Sequence, residues 1–472
     1  MELINTPPEK IRALFHAQSA NRQRLSVSGW RERSRRLKAL AKAILKYQTA
    51  IQEALYNDFR KPIGETDMIE IYPILHEIRH ARRNLRDWTR RRKVPTALPF
   101  IGSRSYILPE AKGVVLIISP WNFPVNLSII PLVSAIAAGN TAIVKPSENV
   151  PHTALMLEKI ISEVFPPEEV VVVQGGADTS GTLMELPFHH VFFTGSERVG
   201  KVVMKAAAEH LTSVTLELGG KTPTIVDASA HLPQAARRIV AAKFSNAGQI
   251  CISPDHLYVH EQVFEPFMQC LQDVIESMFG KEPADSSSYA RLVNGYQFQR
   301  LKSGMEEAVG NGARIRYGGQ MDEEERYMQP TLLSEVSLDS SLMKGEIFGP
   351  ILPVHKYGDI DDVIRKINSD PKPLTLYVYT NSRVIEEKIL RQTNSGNVCI
   401  NNSALHFYNS DLPFGGVNTS GIGASHGYFG FLEFTNQKAV YDQVFRYSLI
   451  DLIFPPARAW KTWLVNLVIR WF

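Results

Sequence analysis

The stretch "HHVFFTGSERVGKVVMKAAAEHLTSVTLELGGK" (His189 to Lys221) decides the fold class. "HHVFFTGS" is a short apolar run ending in a glycine-containing turn, which predicts a strand. "ERVGKVVMKAAAEHL" has helical periodicity and "SVTLELGG" is a second strand. Strand, turn, helix and strand in so short a span make a βαβ unit, which implies a parallel sheet with helices on its faces. Such sheets bind ligands beyond the carboxyl ends of their strands, so the turn at Thr194–Ser196 and the residues after Glu217 are candidate site positions.

The same rhythm extends outward. Upstream, "GVVLIIS" predicts a strand, "LSIIPLVSAIAAG" a helix stopped by Gly139, "TAIVKPS" a strand, "PHTALMLEKIISEVF" a helix with proline at its start, and "VVVVQG" a strand. Before these, Gln18 to Trp88 reads as helices, and "SRSYILPEAK" as a ribbon leading into the strand Val114–Ile118. Downstream, a second α/β stretch begins near Gly219, with "TPTIVD", "HLYVH" and "LTLYVYT" as strands and "LPQAARRIVAAKFSNAG" as one helix. The Gly-, Asn- and Ser-rich segment from Cys399 to Thr435 reads as loop returning to the sheet.

The chain has 472 residues, 44% hydrophobic and 21% charged, a globular composition for two to four domains at roughly 150 residues each. Three widely spaced cysteines, Cys251, Cys270 and Cys399, argue against a disulfide framework and for a reducing compartment. None lies in a metal-binding spacing, and no metal is expected. The N-terminus lacks the apolar core of a secretory signal, and no apolar run is long enough for a spanning helix. Net charge is +4, with a basic cluster at Ile78–Pro95 holding seven arginines and Lys93 against one acid, Asp87. That cluster reads as a solvated helix face; phosphate or anionic-lipid binding is the alternative.

Several polar residues stand where chemistry is possible. In "FFTGSERVG", Gly195 lets backbone approach an anion at a helix start, Ser196 adds a hydroxyl, and Gly200 completes a partial fingerprint. Lys145 and Glu148 in "VKPSE" follow a strand end and suit ribose hydroxyls or a phosphate; a polar turn is the alternative. Asn122, between Pro120 and Pro124, offers an uncharged N–H donor for an oxyanion, or caps its own turn. Glu217 beside two glycines suits a general base. Cys251, in "NAGQICISPD", has small neighbours that leave the backbone accessible, whereas Cys270 lies within helical periodicity and Cys399 in a strand. A thiol needs N–H donors or a helix end to become a nucleophile near neutral pH.

Together and in order, "PWNFP", "KPSE", "FTGS", "ELGGK", "GQIC", "EIFGP" and "PFGG" resemble the aldehyde dehydrogenase family. The short N-terminus, "NAGQICISPD" and "PFGGVNTSGIGASHG" are similar to its class 3 branch, which includes fatty aldehyde dehydrogenases. The resemblance implies a Rossmann-type dinucleotide-binding domain (1–90 and 113–218) and an α/β catalytic domain (219–397). It further implies a small β-ribbon oligomerisation and bridging element (91–112 and 398–440), followed by an amphipathic tail (441–472).

By the same resemblance Cys251 is the nucleophile, Asn122 with the Cys251 N–H holds the oxyanion, and Glu217 activates the hydrolytic water. Lys145 and Glu148 match positions at the adenosine ribose. Thr194, Gly195, Ser196 and Gly200 match the pyrophosphate turn, and Glu346 and Phe348 the nicotinamide ribose. Glu148 beside ribose hydroxyls would repel a 2′-phosphate, which favours NAD, although members of the branch also accept NADP. The implied activity is NAD(P)-dependent oxidation of medium- to long-chain aliphatic aldehydes in the cytoplasm by a homodimer.

At the C-terminus, Trp460, Trp463, Leu464, Leu467, Val468 and Trp471 form a helical apolar stripe with Lys461 and Arg470 off it. The stripe suits either a membrane interface at the cytoplasmic face or packing on the protein or its partner. Two rival readings are an acylating dehydrogenase that passes the thioester to coenzyme A and a non-catalytic binder using the Arg-rich helix. Glu217 speaks against the first, and the filled catalytic positions against the second; no nucleic acid partner is expected.

Overall fold

The computed structural model describes residues 4–97 and 100–471, the side chain of Trp471 excepted. Met1 to Leu3, Leu98, Pro99, Phe472 and the last side chain of the tail stripe lie outside the described residues. Two sheets dominate. The first has six strands in the order Gly421–Ile422, Ser213–Glu217, His190–Thr194, Val114–Ile118, Thr141–Lys145, Val170–Val172; only Gly421–Ile422 runs antiparallel to its neighbour. The second has seven, in the order Arg314–Tyr317, Thr331–Ser334, Ile351–Tyr357, His256–His260, Pro223–Val226, Thr375–Tyr379, Asn397–Ile400, and is parallel except at its first edge.

The continuous apolar strands are a consequence of burial on both faces. In Val114–Ile118 every residue is buried: Val115 and Ile117 enter a core built with the helices Trp30–Lys46, Gln48–Phe59, Tyr72–Trp88 and Asn126–Ala138. Val114, Leu116 and Ile118 point the other way, against Ile11 and Phe15 of the first helix. Each such side chain removed from water is worth about 1.5–3 kcal/mol. The Arg-rich segment follows the same logic. Ile74, Ile78, Ala81 and Leu85 bury one stripe of Tyr72–Trp88, and the arginines occupy the rest of its surface, Arg82 reaching Ser34 Oγ at 3.2 Å.

The strand register aligns the site. Ile118 pairs with Lys145 and Phe193, and Thr194 pairs with Glu217, so four parallel strands end along one edge. The chain leaves that edge at Glu217 and enters the second sheet at Pro223, so the carboxyl edge of one sheet faces the amino edge of the other.

Two expectations change. The helix read through "SNAG" is Leu232–Phe244 and stops there. Ser245–Gly248 is a tight turn with Asn246 (φ 52°), Ala247 (φ 51°) and Gly248 (φ 74°) left-handed. Gly248 is obligatory, because a Cβ there would strike the Gly349 carbonyl. Second, the stretch 398–440 does not gather in one element. Asn397–Ile400 is an edge strand of the second sheet, Gly421–Ile422 an edge of the first, and the helix Gly427–Glu433 packs on Asn126–Ala138. Only Thr435–Gln443 joins the ribbon, pairing along its whole length with Ser103–Ala111, whose other edge carries Arg92–Val94. The strand read at Cys399 is Asn397–Ile400, whereas loop-like composition concealed Gly421–Ile422, which is held by a neighbour distant in sequence.

Candidate active site

Cys251 follows the left-handed turn, and its loop docks on the amino edge of the second sheet. Thr222 Oγ1 donates to the Cys251 carbonyl at 3.4 Å and Tyr377 Oη to the Ile252 carbonyl at 2.7 Å. A cavity of about 680 Å³ opens against the thiol. Glu217 and Thr194 line it from the first sheet, and Phe123, Leu127, Ile130, Phe192, Ile252 and Phe414 are among its apolar walls. One wall is the helix Leu232–Phe244 with Ser245, presenting Gln234, Arg237, Arg238, Ala241, Ala242 and Ser245. At ~1.5 Å per residue that wall runs about 16 Å from Ser245 to Gln234.

Glu217 is 5% exposed and, among the described residues, neither carboxylate oxygen makes a well-formed hydrogen bond, though the Ser425 hydroxyl faces it; the Thr194 hydroxyl beside it is likewise buried and unpartnered. Burial, and then Glu433, push the Glu217 carboxyl well above the usual range. Burial also pushes the Cys251 thiol far up, reinforced by Glu346 and Glu217 and opposed by the N–H groups of Cys251 and Ile252. The resting cysteine is therefore a thiol, and the two opposing N–H groups are the donors an anion at this position would use.

Asn122 is buried behind the cavity wall. Its Nδ2 donates to the Gln249 carbonyl at 3.0 Å, two residues before Cys251, leaving one N–H unassigned among the described residues. Its peptide is pinned by groups that sequence reading missed. Lys61, 1% exposed, donates from Nζ to the Asn122 carbonyl (3.0 Å) and to Glu70 Oε1 (2.7 Å), and lies 4.2 Å from the Phe123 ring centroid. Glu70 Oε2 accepts the Asn126 N–H at 2.8 Å, and Glu65 accepts the Asn246 N–H at 2.9 Å. Asn246 Nδ2 donates to the carbonyls of both Asn122 and Gln249, each at 3.1 Å. In "FRKPIGETDMIEIY", read above as part of a helical stretch, nothing in the local pattern marks Lys61 and Glu70 as buried.

A second cavity of about 490 Å³ lies across the sheet edge, lined by Ser196, Glu197, Arg198, Gly219, Gly220, Lys221 and Glu346 among others. Ser196 caps the helix Glu197–Ala208, its hydroxyl accepting the Val199 N–H at 3.4 Å. Gly195 abuts Phe193, where a Cβ would come within 2.6 Å of the ring. Gly200 lies one turn into the helix against Leu218, at 2.7 Å from an added Cβ, so its position is accounted for by helix packing. Lys145 Nζ and Glu148 form an ion pair of 2.9 Å. Glu346 rests on the Gly219 backbone, leaving no space for a Cβ there. Its carboxyl is raised to about 8 by burial and Asp255, against Lys221 and Arg300. Phe348 is left-handed (φ 48°) and meets Trp121 edge-on at 5.2 Å. The orphaned Thr194 and Glu217 atoms, the capped helix start and the glycine-lined cavity fit a dinucleotide laid across the edge.

Comparison with known proteins agrees with this arrangement. The sequence model of the aldehyde dehydrogenase family matches residues 5–440. The chain is 44% identical to 4,4'-diaponeurosporen-aldehyde dehydrogenase of Staphylococcus aureus over 86% of its length and 88% of the relative's. It is 40% identical to human aldehyde dehydrogenase family 3 member B1, covering 86% of each. The solved structure of Staphylococcus aureus AldH in its substrate-bound state superposes with a TM-score of 0.93 at 40% identity, covering 97% of this chain and 99% of that one. The NADP complex of GapN from Methanocaldococcus jannaschii gives 0.86 at 25% identity, over 94% and 96%. With matched residues spanning both sheets and the cavity between them, the chain belongs to the aldehyde dehydrogenase family, NAD(P)-dependent enzymes that oxidise aldehydes.

Proposed function

We propose that the chain oxidises medium- to long-chain aliphatic aldehydes to carboxylic acids with NAD, through a thioester on Cys251. The observation that carries this reading is one cavity that brings Cys251 and Glu217 to a deep apolar channel whose helix wall alone runs about 16 Å. The Cys251 sulfur attacks the aldehyde carbon as its proton passes through a water to the Glu217 carboxylate, which releases it to solvent before hydrolysis. Its own N–H and the free Asn122 N–H take up the charge on the carbonyl oxygen. The bound nicotinamide supplies the hydride acceptor. Glu217 then removes a proton from water, the water oxygen attacks the thioester carbon, the C–S bond breaks and sulfur leaves with the electron pair.

Lys145, Glu148, Thr194, Gly195, Ser196, Glu346 and Phe348 would hold the dinucleotide, with Gly200 keeping the helix close to the strand. The Glu148 carboxylate favours NAD over NADP by charge. NADH formation with saturated aldehydes from acetaldehyde to octadecanal, run beside Cys251→Ala, tests the reading. Undiminished turnover in the variant, or a preference for the shortest aldehydes, contradicts it.

Two further parts of the proposal concern association. Val199, Val202, Met204 and Leu211 are exposed apolar residues on and just after the helix Glu197–Ala208, which supports a homodimer. The helix Ala459–Trp471 packs chiefly against the turn Leu449–Ile453, with Trp463 62% and Ile469 72% exposed. Exposed tryptophans beside Arg458, Lys461 and Arg470 favour contact with an anionic membrane surface on the cytoplasmic side. No helix among the described residues is long and apolar enough to cross a membrane. Co-sedimentation of the full chain and of residues 1–455 with anionic liposomes tests this, and equal pelleting refutes it.

A further inference from the structure

One more polar atom in the catalytic cavity has no partner. His426 lines the cavity with Glu217 and Ser425, is 4% exposed, and its Nε2 makes no hydrogen bond among the described residues. Its other nitrogen is occupied: Nδ1 lies 2.8 Å from Ser425 Oγ. The ring is clamped edge-on between Phe407 and Phe414, with centroids at 4.5 and 5.3 Å. The backbone carries the stronger signal. His426 has φ 72° and ψ 142°, close to a region that is essentially reserved for glycine and costs about 1–3 kcal/mol for other residues.

That conformation is enforced from both sides. The Ser425 N–H donates to the Phe414 carbonyl at 2.6 Å, the Gly427 N–H to buried Glu77 at 2.7 Å, and the Gly430 N–H to the His426 carbonyl at 2.9 Å. A strained backbone that holds an orphaned imidazole in a cavity wall holds a side chain for use, since glycine would satisfy the backbone alone.

We infer that His426 positions the hydrolytic water, its Nε2 accepting one water hydrogen while Glu217 takes the other. This rests on the thioester reading above. With the proton on Nδ1 donated to Ser425 Oγ, Nε2 keeps an unused lone pair, buried at the cavity wall. Burial, with His406 and His76, holds the ring's pKa down to about 3, so it stays an acceptor through the working pH range. The water then has both hydrogens anchored, and an oxygen lone pair points at the thioester carbon. One proton passes to Glu217, the carbon–oxygen bond forms, the carbon–sulfur bond breaks and Cys251 leaves as thiolate. His426 exchanges no proton in this step; it is a positioning residue.

The test separates acylation from hydrolysis. Rapid mixing of enzyme with NAD and decanal reads the first turnover as a burst of NADH, and the steady rate reads hydrolysis. His426→Gly, which the backbone accepts, is expected to keep the burst rate while kcat falls about 10- to 100-fold. Acid quenching should then reveal the acyl adduct on Cys251 by intact mass. His426→Asn, which retains an acceptor and tolerates positive φ, should recover part of the loss. Ser425→Ala, which frees the ring tautomer, should fall between them and serves where the glycine variant misfolds. Unchanged kcat, or burst and steady rate falling together, overturns the role. Glu217→Gln is the control for the scheme itself: if no acyl adduct accumulates there, the thioester reading fails and this inference fails with it.

Discussion

Replacing Lys61 with methionine tests whether the oxyanion side of the site depends on a buried charge. Lys61 Nζ is sealed from solvent, where it pairs with Glu70, donates to the Asn122 carbonyl and lies over Phe123. Methionine preserves most of the volume but removes the cation. Glu70 would keep the Asn126 N–H and lose its counter-charge in a site with no exposure. Breaking one partner of a buried pair costs about 3–5 kcal/mol, mostly from the charge left behind. Against a typical total of about 5–15 kcal/mol, that is a large fraction of stability. The double variant Lys61→Met/Glu70→Gln removes both members of the pair, leaving only Glu65 without its cation, and should regain part of the loss. Urea unfolding followed by circular dichroism at neutral pH compares the three proteins. A single variant within about 1 kcal/mol of the parent, or a double variant no better than the single, refutes the reasoning.

Asn122→Ala should slow the NADH burst by about 10²- to 10³-fold while the protein still folds, since it removes one oxyanion donor; stopped-flow measurement reads it directly. The acid limb of the kcat–pH profile should lie above the ordinary carboxylate range, because Glu217 acts as a carboxylate in the proposed mechanism and burial and Glu433 raise its pKa; Glu433→Gln should move that limb to lower pH. Because the folded-state pKa of Glu217 exceeds its unfolded value, its ionisation destabilises the fold progressively as pH rises above the unfolded value. Glu217→Gln should therefore melt higher than the parent in alkaline buffer and alike in acid. Gly219→Ala forces Glu346 off the backbone it rests on and should raise the KM for NAD with little change in kcat, measured by varying NAD at saturating aldehyde.

Much of the architecture was legible in the chain, because strands buried on both faces must be continuously apolar and helices on a sheet must carry a stripe. The motifs at strand ends were legible for the same reason: "VKPSE", "FFTGSE" and "LELGGK" each place a polar group where an apolar run stops. The interruption at Ser245–Gly248 was not, since Asn246 and Ala247 are ordinary helix residues held left-handed by Glu65 and Asn122 from elsewhere. Nor was the edge strand Gly421–Ile422, whose hydrogen bonds go to Leu216 and Glu217, far away in the chain.

By itself the sequence determined the βαβ order and the family, and singled out Cys251, Glu217 and Asn122 as the candidate groups for the proposed chemistry. Only the tertiary structure decided their states. Burial raised the Cys251 thiol and the Glu217 carboxyl, Lys61 and Asn246 locked the Asn122 peptide, and a strained loop carried His426 into the same cavity. Desolvation and hydrogen bonding act through neighbours in space, and residues as far apart as Lys61, Asn122, Asn246 and His426 become neighbours only once both sheets have closed around the cavity.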